Sequence, residues 1–316
     1  MPPEDFAEEV GGGGRSTLAR AITLIESQRL DDQEYAYEVL RLLMPAAGNA
    51  HRIGISGPPG VGKSTLIDAY GMLLVERGHQ VAVLAIDPSS TLTGGSILGD
   101  KSRMPRLAQL DGAFIRPSPS DLALGGVTRR TREAMFLCEA AGFDRILIET
   151  VGVGQSEILV AGMVDTFAVL IQPGAGDELQ GIKKGIVELA DLLVVTKADG
   201  DKVALARQAV AEYSAAVRHV AGPRPVLAVS AHQAEGLAEL ADGVEAHRVA
   251  DLASGRRDVR RDSDARRWIR GLAEEQVILR WRQEHGGEAR LAEAARRALA
   301  GELRADQGAT EVASAG

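Results

Sequence analysis

Residues 57–64 read Gly57-Pro58-Pro59-Gly60-Val61-Gly62-Lys63-Ser64 and are followed by Thr65. The spacing is G-x-x-x-x-G-K-[ST], a phosphate-binding pattern with a physical basis. Glycines let the backbone curl so that successive N–H groups converge on phosphate oxygens, and a helix starting at the lysine adds its positive end. Lys63 supplies a point charge between the β- and γ-phosphates of a nucleoside triphosphate, and the Ser64 hydroxyl a ligand for Mg²⁺. A strand must precede such a loop and a helix must follow it. The apolar run Ile53–Ser56 and the amphipathic stretch Ser64–Arg77 meet that requirement. Two carboxylates also fall at strand ends, Asp87 after Val81–Ile86 and Glu149 at the close of Arg145–Glu149. Glu149-Thr150-Val151-Gly152 has the form D-x-x-G with glutamate for aspartate. Its carboxylate is placed to hold Mg²⁺, directly or through water, and the Gly152 N–H to reach the γ-phosphate.

Base recognition is addressed by Thr196-Lys197-Ala198-Asp199, at the end of the run Leu192–Thr196. It resembles the [NT]-K-x-D guanine motif of GTPases. Asp199 can accept from the ring N–H and the 2-amino group of guanine, a pair of donors that adenine lacks. The Lys197 stem can cover one face of the base. Threonine in place of asparagine predicts weaker side-chain hydrogen bonding, which bears on affinity rather than on base choice. Ser230-Ala231-His232, closing the run Pro225–Ser230, stands where a backbone N–H would meet the guanine carbonyl oxygen.

The elements that position these residues follow a repeating pattern. Six β-rich runs (Ile53–Ser56, Val81–Ile86, Arg145–Glu149, Phe167–Gln172, Leu192–Thr196 and Pro225–Ser230) mostly alternate with helical stretches at Ser64–Arg77, Thr128–Ala141, Lys202–Val220 and Leu237–Ala253. Near-continuous apolar strands joined by helices predict a doubly wound, mostly parallel α/β sheet, with ligands at its carboxyl edge. Residues 1–15 are acidic and end in four glycines, which predicts a flexible start. Residues 16–50 read as a helical hairpin, 51–254 as the nucleotide-binding domain, 255–304 as a helical arm and 305–316 as a disordered tail. The arm opens with seven arginines and three aspartates over 254–270 and holds both tryptophans, Trp268 and Trp281. Its apolar stripe suits either internal packing or a dimer seam.

Composition removes several function classes. The 316 residues carry 36 basic and 44 acidic side chains, a net charge of −8, which disfavours sequence-independent nucleic-acid binding. One cysteine, Cys138, excludes an intramolecular disulfide framework, and the six histidines show no metal-ligand spacing. No apolar run approaches the ~20 residues that span a bilayer. With an acidic N-terminus, the expected compartment is the cytoplasm. Only six of the basic residues are lysines, all between 63 and 202, which draws attention to that region.

Longer motifs then occur in order: Asp87-Pro88-Ser89-Ser90, residues 93–101 (TGGSILGDK), residues 149–157 (ETVGVGQSE) and residues 173–185 (PGAGDELQGIKKG). With these the chain closely resembles the MeaB/ArgK-type P-loop GTPases, chaperones of cobalamin-dependent acyl-CoA mutases, over roughly residues 16–285. The resemblance implies that Asp87, Asp100 and Glu149 join Ser64 around Mg²⁺ and that Arg103 lies near the phosphates. It implies three nucleotide-sensing switches, at 91–103, 150–157 and 173–185, and a homodimerisation role for the C-terminal arm. The expected activity is Mg²⁺-dependent GTP hydrolysis that gates adenosylcobalamin loading and protects or rescues a mutase, with GTP and GDP as ligands and no membrane or nucleic-acid partner. Other readings are a nickel metallochaperone GTPase, an ATP-dependent kinase linked to amino-acid transport, and a nucleotide-gated adaptor with negligible turnover.

Overall fold

The computed structural model describes residues 1–27, 29–87, 104–119, 124–150, 156–174, 184–220, 223–284 and 287–314. Seven parallel strands form one sheet: β1 (His51–Ser56), β2 (Val81–Asp87), β3 (Ala113–Pro119), β4 (Arg145–Glu149), β5 (Thr166–Ile171), β6 (Leu192–Val195) and β7 (Val226–Ala228). Their order is β3-β2-β4-β1-β5-β6-β7. β1 is central, with Ile53 in register with Leu147 of β4 and Thr166 of β5. All six residues of β1 and of β5 are buried, as a parallel sheet covered on both faces requires.

Among the described residues, the helices of the first compact unit, residues 1–261, are α1 (Pro3–Gly11), α2 (Arg15–Glu26), α3 (Leu30–Leu43), α4 (Lys63–Glu76), α5 (Leu124–Ala140), α6 (Ser156–Ala161), α7 (Lys184–Leu189), α8 (Val203–Val220) and α9 (Leu237–Ala253). Side chains alternate across the sheet. Ile53, Ile55, Val81, Val83 and Leu192 pack with α4 and α9, while Ala82, Leu84 and Leu193 pack on the side of α1–α3, α5 and α8. The second unit, residues 262–316, holds the remainder of α10 (Arg256–Glu284) with α11 (Gly287–Leu299) and α12 (Ala305–Ser314).

Three sequence expectations are corrected. Residues 3–11 are a helix rather than a flexible start: Phe6 and Val10 are buried, and Phe6 meets Tyr35 of α3 edge-on, so the acidic segment presents an apolar stripe. The hairpin over 16–50 is therefore part of a three-helix cap. Residues 305–314 are helical rather than disordered, with Val312 buried and its carbonyl accepting from Trp281 Nε1 at 3.2 Å. Finally β3 was absent from the six expected strands. Arg116, Pro117 and Pro119 break its apolar pattern, which is tolerable because it lies at a sheet edge.

Below the sheet's amino edge, a charged cluster fastens the root of α10. Arg261 grips Asp165 with Nε and Nη2 at 2.7 and 2.6 Å and donates to the carbonyls of Gly48 and Ala50. Arg260 donates to Asp191 at 3.0 Å. Burial works to raise Asp191, but the His247 hydrogen bond and Arg260 outweigh it and hold the carboxyl down at about 2.

Candidate nucleotide site

The loop 57–62 joins β1 to α4 and takes its shape from glycine. Gly60 and Gly62 have φ of 76° and 101°, the left-handed region that costs other residues about 1–2 kcal/mol. A Cβ at Gly57 would stand 2.8 Å from the Leu170 carbonyl oxygen. Val61 is fully buried and plugs the loop into the core below. The helix starts at Lys63, with the Leu66 N–H donating to the Gly62 carbonyl.

Lys63 Nζ donates to the carbonyls of Gly57 at 2.8 Å and Pro58 at 3.2 Å, folding the ammonium over its own loop. Burial pulls this lysine below the usual ammonium range, against the opposing charges of Glu149 and Glu157. The Ser64 hydroxyl donates to Glu149 Oε1 at 2.8 Å, so the hydroxyl and carboxylate expected to share a cation stand together. Two cis oxygens of a Mg²⁺ octahedron with ~2.05 Å bonds lie about 2.9 Å apart, and this pair of hard donors fits that edge. Thr150 fixes the end of β4 to the end of β1: its N–H donates to the Ile55 carbonyl and its hydroxyl to Ser56 Oγ at 2.9 Å.

The base-reading segment is tied to this loop. The Thr196 hydroxyl lies 2.7 Å from the Val61 carbonyl and 3.2 Å from that of Ile171. The buried Thr196 reaches the phosphate loop through its short side chain, with one O–H to donate where an asparagine amide has two N–H groups. Lys197 Nζ donates to the Gly60 carbonyl at 2.7 Å and to Gln172 Oε1 at 3.0 Å. Ser230 Oγ donates to Asp199 Oδ2 at 2.5 Å and orients the carboxylate. The Ser230 N–H is committed to the Glu235 carbonyl and so is not offered to a base.

The structure thus brings together Gly57, Pro58, Pro59, Gly60, Val61, Gly62, Lys63, Ser64, Thr65, Glu149, Thr196, Lys197, Asp199, Ser230, Ala231 and His232 at the carboxyl edge of the sheet. Asp100, Arg103 and Gly152 lie outside the described residues, as does the side chain of Asp87, whose backbone ends β2 in register with Pro119. Three groups were not singled out from sequence. Gln172 is one. Asp68, one turn after Ser64, accepts from the N–H groups of Arg106 and Leu107 and from Arg106 Nε at 2.7 Å, fastening the chain just after residue 103 to α4. Glu157 is buried, and its Oε2 has no hydrogen-bond partner among the described residues. Only the i, i+4 spacing of Ser64 and Asp68 on one helix face offered any signal for these.

A seven-stranded parallel sheet with this phosphate loop and guanine-type segment defines a P-loop GTPase. Residues 18–285 match the model of the family "Methylmalonyl Co-A mutase-associated GTPase MeaB". A probable GTPase of Mycobacterium tuberculosis is 56% identical over 307 residues, covering 95% of this chain and 91% of its own. The mitochondrial methylmalonic aciduria type A homolog of Mus musculus is 46% identical over 282 residues, covering 84% of this chain and 68% of its own. A crystal structure of a LAO/AO transport system kinase superposes with a TM-score of 0.78 at 35% identity, covering 99% of this chain and 96% of that one. The chain belongs to the MeaB family; it binds GTP and GDP and hydrolyses GTP.

Proposed function

We propose that this GTPase, working with Mg²⁺ in the cytoplasm and as a homodimer through its C-terminal arm, gates adenosylcobalamin delivery to a cobalamin-dependent acyl-CoA mutase and protects or reactivates that mutase. Membership of a mutase-associated family and likeness to a methylmalonic aciduria type A homolog support the client class. The observation that carries the switch is the Ser64–Glu149 hydrogen bond. It joins the phosphate-binding helix to the carboxylate that opens the segment 149–157, so a change at the γ-phosphate is felt directly where that segment begins.

Hydrolysis is in-line attack of water on the γ-phosphorus with GDP leaving, and the chain's contribution is positioning and charge. The loop amides cradle the phosphates, and Lys63 exchanges its carbonyl partners for phosphate oxygens as negative charge moves toward the β,γ-bridge. Thr196 and Lys197 hold the base-reading segment to the same loop, while Asp199, aimed by Ser230, selects guanine. Ser64 and Glu149, with Asp87 and Asp100 implied by resemblance, would hold Mg²⁺, which neutralises phosphate charge when bound.

Transfer of adenosylcobalamin to apo-mutase, followed by the absorbance of the bound cofactor, tests the client role. Transfer should depend on whether GTP, GDP or a non-hydrolysable GTP analogue occupies the GTPase. Transfer indifferent to nucleotide for each acyl-CoA mutase class would overturn it and return the nickel reading to the front. Phosphate transfer from ATP, the kinase alternative, would need adenine in a site whose Asp199 is aimed at guanine donors.

A further inference from the structure

Gln172 directly follows β5 and precedes Pro173-Gly174. Its carboxamide oxygen accepts from the Lys197 ammonium at 3.0 Å, while the same ammonium donates to the Gly60 carbonyl at 2.7 Å. Lys197 therefore spans from the base-reading segment to the phosphate loop with its head fixed at two points. Its backbone is also unusual: φ is 55°, left-handed, at one of only two non-glycine residues with positive φ among those described. A lysine there is held by its surroundings, since the conformation costs of order 1–3 kcal/mol. Thr196 supplies part of the hold through Val61 and Ile171. Backbone bonds on either side, from the Thr196 N–H to Ile171 and the Ala198 N–H to Val229, fix the main chain, and the ammonium contacts fix the far end of the side chain, so the long flexible stem is immobilised only while both ends are held.

We propose that Gln172 is a positioning residue for guanine-nucleotide binding: its carboxamide oxygen fixes the Lys197 head so that the methylene stem stands as a preformed wall for one face of the base. The inference rests on the guanine reading of Thr196–Asp199. It adds a residue outside both nucleotide motifs. A preformed wall removes the entropy of ordering a lysine on binding, so it acts on affinity for GTP and GDP alike and leaves the phosphate chemistry untouched. Glutamate at 172 retains an acceptor for the ammonium; leucine keeps similar bulk and removes it.

The test measures dissociation constants for fluorescent GDP and a non-hydrolysable GTP analogue, together with kcat, in Gln172→Leu and Gln172→Glu full-length protein. Leucine should weaken both nucleotides about five- to tenfold, as expected for losing one partner of a partly exposed charge-assisted hydrogen bond, with kcat within about twofold. Glutamate should keep both affinities within about twofold of the parent. Unchanged affinity in Gln172→Leu overturns the proposal. So does an equal loss of affinity and kcat in both variants, which marks a loop that has lost its shape. Asp199→Asn, assayed in parallel for guanosine against xanthosine nucleotides, separates the failures: no change in base preference there removes the guanine reading itself, whereas a shift there with a neutral Gln172→Leu removes only the role of Gln172.

Discussion

His51, the first residue of β1, makes acid stability calculable from the structure. Its Nε2 lies 2.8 Å from Thr166 Oγ1, which lies 2.8 Å from His247 Nδ1. Its Nδ1 is buried without a hydrogen-bond partner among the described residues. The economical tautomer has Nε2–H donating to Thr166 and Nδ1 presenting only a lone pair, because protonating Nδ1 would bury an unpaired, charged N–H. Burial drives this imidazole from 6.5 down to about 4, with Arg145 and Arg248 adding to the effect and Asp165 and Glu245 opposing it. A folded pKa below the unfolded one means the unfolded chain takes up the proton first. The contribution is therefore complete above pH 6.5 and is lost as pH falls toward 4. Between pH 7.5 and 4.5 the linkage amounts to about 2.5 kcal/mol from this one side chain. Gln at 51 keeps a neutral donor for Thr166 and cannot titrate. Urea unfolding at pH 7.5, 6.0 and 4.5 should show His51→Gln losing about 2.5 kcal/mol less than the parent over that range, whatever its absolute stability. Parallel losses in the two proteins would mean that His51 does not carry this pH dependence.

Other outcomes follow from the same geometry. Lys63→Ala removes the only side-chain cation in the phosphate loop and should cut GTP turnover by roughly 100-fold or more, measured by phosphate release; near-parental turnover would dissolve the site assignment. Asp199→Asn should move preference from guanosine toward xanthosine triphosphate, read by competition binding, since xanthine offers an acceptor where guanine offers its amino donors. Arg261→Met strips the guanidinium from buried Asp165 and should cost about 3 kcal/mol or more in urea unfolding. The double variant Arg261→Met with Asp165→Asn should lose clearly less than the sum of the two singles, and additivity would deny the coupling.

The sheet's centre was legible because its strands are unbroken apolar runs ending at residues with evident chemistry. Val81–Asp87 and Arg145–Glu149 end at the same sheet edge as the loop 57–64, as parallel βα units require. The edge was harder to read. β3 carries Arg116 and two prolines, and only pairing with β2 makes it a strand. α1 hides three buried residues among four acids, and α12 was obscured by alanine, glycine and small polar residues that packing organises. Within the site, the motif residues could be found by spacing because a nucleotide dictates it. Gln172 could not, since its partner lies 25 residues away, and Asp68 showed only its helix-face spacing from Ser64 while the segment it holds lies 38 residues away.

The function proposed for this protein is guanine-specific hydrolysis whose turnover answers to a client. Its most direct test is steady-state phosphate release from GTP and from ATP by the purified protein, alone and with a cobalamin-loaded acyl-CoA mutase. Slow turnover selective for GTP should rise several-fold when the correct mutase is added. Equal turnover of ATP and GTP, or GTP turnover indifferent to every mutase class, would contradict it.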